Sequence, residues 1–397
     1  HVLRGRHVFA VSGTHGKTTT ASLLAWILED AGLQPGFLIG GVPANFGVSA
    51  RYGSGSCFVV EADEYDTAFF DKRAKFVHYR PRTLILNNLE YDHADIYKDL
   101  DAILWQFHQL LRTVPGSGRI VMNAADENLA RLVEMGCWTP RESFSRGEGS
   151  GWRADFVDAS ERHIRMSDPR GRSAEARWHL GGSHNLENAM AAVAAASSAG
   201  VELQQAVDAL SRFEGVKRRM ERTATVGDIA IYDDFAHHPT AVRRSIAAMK
   251  RRYPGQRIVV AIEPRSNTMK LGVHNATLAE SLEAQGRAVH TLMVYRAEPA
   301  AIDRTALGRL DHHREGPVRG GHRFGDPGPG AAFPVLEMVC GDQVHGQEGR
   351  LPGRNQIGRH GTDAVVEAET LDGVLRRMRR VRRKSRSLLR RITSWSE

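Results

Sequence analysis

The sequence predicts an α/β protein, with a first domain built on a mostly parallel sheet and a smaller, incomplete α/β domain after it. Three observations carry that expectation. From residue 8 to about 200, short apolar runs alternate with helical patterns. Several of those runs end in Glu or Asn, the polar groups that line a ligand crevice at the carboxyl ends of parallel strands. The first run breaks into a glycine turn that leads straight into a helix.

Val8-Phe9-Ala10-Val11 reads as the first strand, and Ser12-Gly13-Thr14-His15-Gly16-Lys17-Thr18-Thr19-Thr20 as a phosphate-binding loop. Gly13 and Gly16 let the backbone bend so that successive N–H groups face phosphate oxygens. Lys17 is placed to neutralise the terminal phosphates, and the Thr18 hydroxyl to ligate Mg²⁺. The loop is compact, because the commonest spacing would put its first glycine at Val11. Thr18–Ala31 continues as a helix with Leu23, Leu24, Ile27 and Leu28 on one face and Gly32 as its stop. Its N-terminal partial positive charge points at the phosphates.

Phe58-Val59-Val60 is a strand ending at Glu61, Thr83–Leu86 one ending at Asn87-Asn88, and Arg119–Met122 one ending at Asn123. Leu100–Leu111 and the alanine-rich Asn188–Ala199, with Gly200 behind it, read as helices. Residues 152–180 are more polar and are expected to form an excursion or a small antiparallel element. Residues 1–212 are thereby a P-loop ATPase-like domain. A second, smaller Rossmann-like unit takes up residues 213–295. Ile229–Tyr232 leads there to Asp233-Asp234, Arg257–Ile262 leads to Glu263-Pro264-Arg265, and helices fall at about 239–252 and 275–285.

After Tyr295 the pattern fails. Thirteen of the 39 glycines fall in residues 296–361, among Pro, Arg and His and without a period of 2 or 3.6. Such a segment buries too little apolar surface to offset its ordering entropy. Residues 296–397 are therefore expected to be an atypical tail, either a reading-frame shift or a low-complexity extension, leaving a bare sheet edge near Arg257–Ile262. The start at His1, within ten residues of the first strand, reads as that of a chain missing its beginning.

Bulk composition narrows the function. At 41% apolar and 25% charged residues the chain is a soluble globular protein, and it has no apolar run long enough to span a membrane. Cys57, Cys137 and Cys340 lack metal or redox spacing, which fits a reducing cytoplasm. The net charge is +8, yet residues 376–391 alone hold ten Lys/Arg and no acid. The body of the chain is thus slightly acidic, and nucleic-acid binding through the tail lacks aromatic interleaving or a recognition fold.

Three further clusters surround the loop. Glu61-Ala62-Asp63-Glu64-Tyr65-Asp66 offers a carboxylate at a strand end, the usual second anchor for Mg²⁺, or else an acidic surface loop. Asn87-Asn88-Leu89-Glu90-Tyr91-Asp92-His93-Ala94-Asp95 packs carboxylates and an imidazole as a second metal or an anionic reaction centre requires; alone, His93 fits an ordinary polar loop. Gly181-Gly182-Ser183-His184-Asn185-Leu186-Glu187-Asn188-Ala189 sets two asparagines on one side of a helix start, for adenine or phosphate contacts or as a helix cap.

In this order, and followed by Gly215-Val216-Lys217-Arg218-Arg219-Met220-Glu221 and Tyr232-Asp233-Asp234-Phe235-Ala236-His237-His238-Pro239, these motifs resemble the Mur ligases of peptidoglycan synthesis. Within that family, Phe69–Arg73, His78–Arg82 and Glu263–Met269 look most like the recycling branch, which joins UDP-N-acetylmuramate to L-alanyl-γ-D-glutamyl-meso-diaminopimelate. The resemblance implies ATP-driven amide formation: the γ-phosphate passes to a carboxylate, and an amine attacks the acyl phosphate. It implies Lys17, Glu61 and His93 as catalytic residues, with Thr18, Glu61 and His93 holding Mg²⁺. It implies nucleotide contacts from Gly13, Thr14, His15, Gly16, Lys17, Thr18, Thr19, Asn185, Asn188, Arg219 and Asp234. Arg265, Ser266 and Asn267 match the diaminopimelate end of the peptide, where an arginine fork suits a free carboxylate. The implied partners are UDP-N-acetylmuramate and the murein tripeptide, with no nucleic acid or membrane, and a monomer is expected. Two features depart from the family: no N-terminal UDP-binding domain is seen, and no Ser-Asn-Gly-Gly-like loop follows residue 295. The L-alanine-adding ligase and, more distantly, folylpolyglutamate synthetase are alternatives in the same fold. An ATP-binding chain without ligase activity is the alternative from another class.

Overall fold

Alternation along β1 (His7–Ser12) shows how the first sheet is built. Phe9 and Val11 point into one apolar cluster, while Val8 and Ala10 point into another on the opposite face. The computed structural model describes residues 1–147, 149–226, 229–256, 258–263, 267–270, 273–283, 289–293 and 333–339, all within one unit spanning His1–Gln343.

After β1 come α1 (Lys17–Asp30), β2 (Gly36–Leu38), β3 (Ala50–Arg51), β4 (Cys57–Glu61) and a hairpin of β5 (Asp66–Ala68) and β6 (Asp71–Ala74). The chain continues through β7 (Thr83–Leu86), α2 (Leu100–Leu111), β8 (Arg119–Asn123), α3 (Glu127–Glu134) and β9 (Arg141–Arg146). β10 (Trp152–Phe156), β11 (His163–Ser167), β12 (Ser173–Arg177), α4 (Ser183–Ser197) and α5 (Leu203–Ser211) complete this part. Ten strands form one sheet in the order β12–β11–β10–β9–β8–β7–β1–β4–β2–β3. From β10 to β2 every pairing is parallel, and only β3, β11 and β12 run antiparallel to their neighbours. The segment 152–180 therefore extends the main sheet instead of leaving it, and β10 continues the parallel run.

Helices cover both faces. α1, α4 and α5 pack on one, and α2 and α3 on the other. α2 follows its apolar stripe, with Ile103, Leu104, Phe107, Leu110 and Leu111 buried, and the Asp99 carboxylate caps it by accepting from the Ala102 N–H at 2.8 Å. Asp126 caps α3 in the same way through the Leu129 N–H at 2.9 Å. α4 starts at Ser183, five residues before the Asn188 that the sequence pattern predicts, and Ala189, Ala191, Ala192 and Ala194–Ala196 are fully buried. Such small side chains let α4 approach α1 closely, so the helix carrying the asparagines is held firmly against the one carrying the loop.

The second sheet comprises β13 (Glu221–Val226), β14 (Ile229–Asp234), β15 (Ile258–Glu263), β16 (Val289–Met293) and β17 (Phe333–Val339), with α6 (Pro239–Arg252), α7 (Asn267–Lys270) and α8 (Asn275–Glu283) between them in the chain. Its order is β13–β14–β17–β15–β16, with only β13 antiparallel. Two expectations are corrected here. β15 is not a bare edge, because β17 and β16 flank it, and the segment after residue 295 supplies a strand in register with Ile229–Asp234. Pro334 sits near the start of that strand, where its missing N–H breaks the pattern of a central strand. The rest of residues 296–397 lies outside the described residues. Among the described residues no helix is long and apolar enough to cross a membrane.

Candidate active site

The loop after β1 lies where β1 ends between β4 and β7, the switch point of the sheet. Gly16 stands before α1 in the left-handed region (φ 81°), and a Cβ there would lie 2.6 Å from Asn188 Oδ1. At Gly13 a Cβ would lie 3.0 Å from the Asn88 carbonyl oxygen. Glycine follows this path at Gly16 without strain or contact with Asn188, and only a bare backbone fits comfortably at Gly13. The loop is clamped to the segment after β7. Asn88 Oδ1 accepts from the His15 N–H at 2.9 Å, Asn88 Nδ2 donates to the His15 carbonyl at 3.0 Å, and the Glu90 N–H donates to the Thr14 hydroxyl at 2.7 Å. Below it, the Thr20 hydroxyl donates to Asn188 Oδ1 at 3.1 Å and accepts from Asn87 Nδ2 at 2.7 Å.

Lys17 is buried, and its Nζ donates to the Gly13 carbonyl at 2.8 Å. Glu64 lies 3.3 Å and Asp63 3.5 Å from the same nitrogen. Burial by itself lowers the Lys17 pKa, but the charges of Glu64, Asp63 and Glu61 outweigh it and raise the pKa above the usual lysine value. Thr18 donates to Glu61 Oε1 at 2.9 Å, and Glu61 Oε2 accepts from the Gly40 N–H at 2.7 Å. A hydroxyl and a carboxylate held together in this way form a hard oxygen donor pair, the chemistry a magnesium ion requires.

His93, in a left-handed conformation (φ 55°), sits between two partners. Its Nε2 is 2.9 Å from Glu64 Oε1 and its Nδ1 is 2.8 Å from the Tyr65 hydroxyl. Burial lowers its pKa, yet Glu64 and Asp92 more than compensate and bring it to about 8. Glu64 is thus a buried bridge from Lys17 to His93, and the Tyr97 hydroxyl fixes its backbone by donating to the Glu64 carbonyl at 2.5 Å. Asp63 is held well below the usual carboxylate range: burial opposes its charge, and Lys17, Lys75 and His93 overcome that.

The second sheet closes the cleft. Arg219 donates to the Thr18 hydroxyl oxygen at 3.1 Å and stacks on the Phe235 ring at 5.0 Å. Burial lowers its pKa. Asp234, at the end of β14, is buried and accepts from the Ser245 hydroxyl at 2.5 Å. Burial raises its pKa against the pull of Ser245 and Arg219. His15, Gly16, Thr19, Asn185, Asn188, Arg219 and Asp234 all line one cleft, where Asn185 Nδ2 donates to the Gly181 carbonyl at 2.8 Å. His184 Nδ1 and Asn87 Oδ1 are buried there without a hydrogen-bond partner, which suits a polar ligand. An adjoining cavity of about 330 Å³ is bounded by Glu161, His179, Lys217 and Arg222, among others.

The structure therefore gathers the loop residues, Glu61, Asn185, Asn188, Arg219 and Asp234 into one place. It pairs Thr18 with Glu61, but the carboxylate paired with His93 is Glu64, a residue to which the sequence pattern gives no separate role. Sequence reasoning also passed over Asn88 as the clamp of the loop, although a polar pair after a strand was its signal. Arg265 and Ser266 lie outside the described residues, and Asn267 is the first residue of α7. Next to it, the Thr268 hydroxyl oxygen stands 3.4 Å from the Ala94 N–H, beside the His93 segment.

Two family models match the chain: the Mur ligase middle domain over residues 11–196, and the Mur ligase glutamate ligase domain over residues 218–314. A UDP-N-acetylmuramate–L-alanyl-γ-D-glutamyl-meso-2,6-diaminoheptandioate ligase of Escherichia coli K12 is 51% identical over 304 residues, covering 76% of this chain and 64% of the relative. Its counterpart in Haemophilus influenzae is 48% identical over 295 residues, covering 74% and 64%. The crystal structure of a murein peptide ligase from Psychrobacter arcticus 273-4 superposes with a TM-score of 0.64 at 40% identity, covering 86% of this chain and 76% of that one. The chain spans about two thirds of the length of the curated relatives it matches. With a family model on each side of the cleft and a 40% identical solved relative covered over three quarters of its length, this chain belongs to the Mur ligase family.

Proposed function

We propose that this chain carries the ATP-binding and nucleotide-closing parts of a ligase that joins UDP-N-acetylmuramate to the tripeptide L-alanyl-γ-D-glutamyl-meso-diaminopimelate. The observation that carries the reading is the Arg219–Thr18–Glu61 chain of hydrogen bonds, in which the turn before the second sheet completes the loop of the first. In this reading residues 1–212 form the ATP-binding domain and residues 213–295 part of the closing domain. Thr18, Glu61 and His93 are assigned to Mg²⁺, which would supply charge neutralisation while two anions approach.

The remaining work falls to protein groups. Lys17 binds the terminal phosphates, exchanging its bonds to Glu64 and the Gly13 carbonyl for phosphate oxygens. Glu64 keeps Lys17 and His93 at a fixed separation. Arg219, from the turn before β13, and Asp234, from the end of β14, hold the nucleotide on one side, and Asn185 and Asn188 from α4 on the other. Arg265, Ser266 and Asn267 are assigned to the carboxylate end of the tripeptide.

Incubation of the chain, supplemented with the part of the curated relatives that it does not span, with ATP, Mg²⁺, UDP-N-acetylmuramate and either tripeptide or L-alanine tests the reading, with phosphate release and product mass as readouts. Amide product with tripeptide is expected. Product with L-alanine alone would move the chain to the alanine-adding branch. Nucleotide binding without product from either amine would reduce the reading to an ATP-binding chain.

A further inference from the structure

A second cluster, made of residues to which the ligase reading gives no metal, sits at the seam of the two sheets. His15 comes from the loop, Glu90 from the segment after β7, and His238 from the residue that caps α6. One ligand atom of each lies within 4.8 Å of the other two. His15 Nε2 is 2.9 Å from Glu90 Oε1, and His238 Nδ1 is 3.5 Å from Glu90 Oε2. The Thr240 hydroxyl donates to Glu90 Oε2 at 2.7 Å and so fixes the carboxylate plane, as outer partners of metal ligands do. The His274 ring packs 4.9 Å from that of His238, and its Nε2 is buried without a hydrogen-bond partner.

We propose that His15, Glu90 and His238, with His274 adjoining, bind a transition-metal dication of the zinc class, apart from the magnesium position at Thr18 and Glu61. Two imidazoles and a carboxylate are the donor set of zinc, cobalt or nickel; magnesium prefers oxygen ligands and keeps its waters. At Zn–N distances of about 2.0–2.1 Å, tetrahedral donors stand roughly 3.3 Å apart. A pair at the 4.8 Å limit closes by about 1.5 Å, while His15 and Glu90, at 2.9 Å, open slightly. A metal at His238 Nδ1 replaces the long 3.3 Å bond that this atom accepts from the Thr240 N–H. The bound ion ties the phosphate loop to α6 and holds the two sheets together across the cleft. Cation binding at these three side chains needs no ligase chemistry.

Cobalt chloride titrated into the full chain in excess Mg²⁺, followed by visible absorption, tests it. One equivalent of cobalt with intense bands of low coordination number is expected. Glu90→Gln and His238→Ala are expected to weaken binding roughly tenfold or more, and His274→Ala less. His93→Ala removes a donor of the Asp63–Glu64–His93 group, whose ligand atoms also cluster, and is expected to leave the bands unchanged. Circular dichroism checks the fold of each variant; should His238→Ala fail to fold, Glu90→Gln decides. Bands that are absent, that persist in folded Glu90→Gln, or that vanish only with His93→Ala overturn the proposal.

Discussion

Replacing Gly16 with alanine tests whether the loop is held by a steric fit between two helices. The site is left-handed (φ 81°), which costs an L-residue about 1–2 kcal/mol. The new Cβ would also lie 2.6 Å from Asn188 Oδ1, the atom that receives the Thr20 hydroxyl. Asn188 has to move, and a buried polar group left unpaired costs about 1–3 kcal/mol more. Gly16→Ala should therefore destabilise the chain by roughly 2–5 kcal/mol in total. Gly32→Ala is the control, because Gly32 has nearly the same backbone (φ 77°) but nothing within 4 Å of its would-be Cβ. It should lose only the conformational part, about 1–2 kcal/mol. Urea unfolding followed by far-ultraviolet circular dichroism measures both. If Gly16→Ala costs no more than Gly32→Ala, the fit between the loop and α4 is not what shapes the site.

Two further outcomes follow from packing and charge. Burial, with help from Arg82 and Arg119, lowers the His7 pKa to about 4, so the fold keeps His7 neutral while the unfolded chain is protonated near 6.5. Stability from this group is present above pH 6.5 and is lost as pH falls towards 4; His7→Asn should flatten that part of the urea-midpoint profile. Ala192→Leu, at a fully buried position of α4, should cost about 1–3 kcal/mol by overpacking, read from the same unfolding curves.

How much the sequence disclosed depended on how local the signal was. α2 was legible from Leu100 to Leu111 because its apolar stripe repeats at helical spacing and Asp99 marks its start. The start of α4 is not legible because the polar Ser183-His184-Asn185 run carries no stripe, although it forms the first turn after the Gly182 cap. β2 and β3, at three and two residues, are too short to show a period. β17 was hidden by Pro334 and by glycine-rich surroundings; pairing with β14 and β15, not local pattern, makes it a strand. In the site, Lys17, Thr18, Glu61 and His93 stand in short motifs and could be named. The bridge through Glu64, the Asn88 clamp and the link from Glu90 to Thr240 join residues 47, 73 and 150 positions apart, and only the fold brings those pairs together.

The central claim is that the loop and the second sheet hold one magnesium nucleotide between them, and calorimetric titration of Mg-ADP and Mg-ATP into the chain tests it most directly. The account predicts binding that weakens by about 1–3 kcal/mol in Lys17→Ala, where a charge-assisted contact is lost. Arg219→Ala should weaken it in the same direction, because Arg219 reaches the Thr18 hydroxyl from the turn before β13. Gly32→Ala, at the far end of α1, should leave it unchanged. Identical titration curves for the wild-type, Lys17→Ala and Arg219→Ala chains would contradict the account.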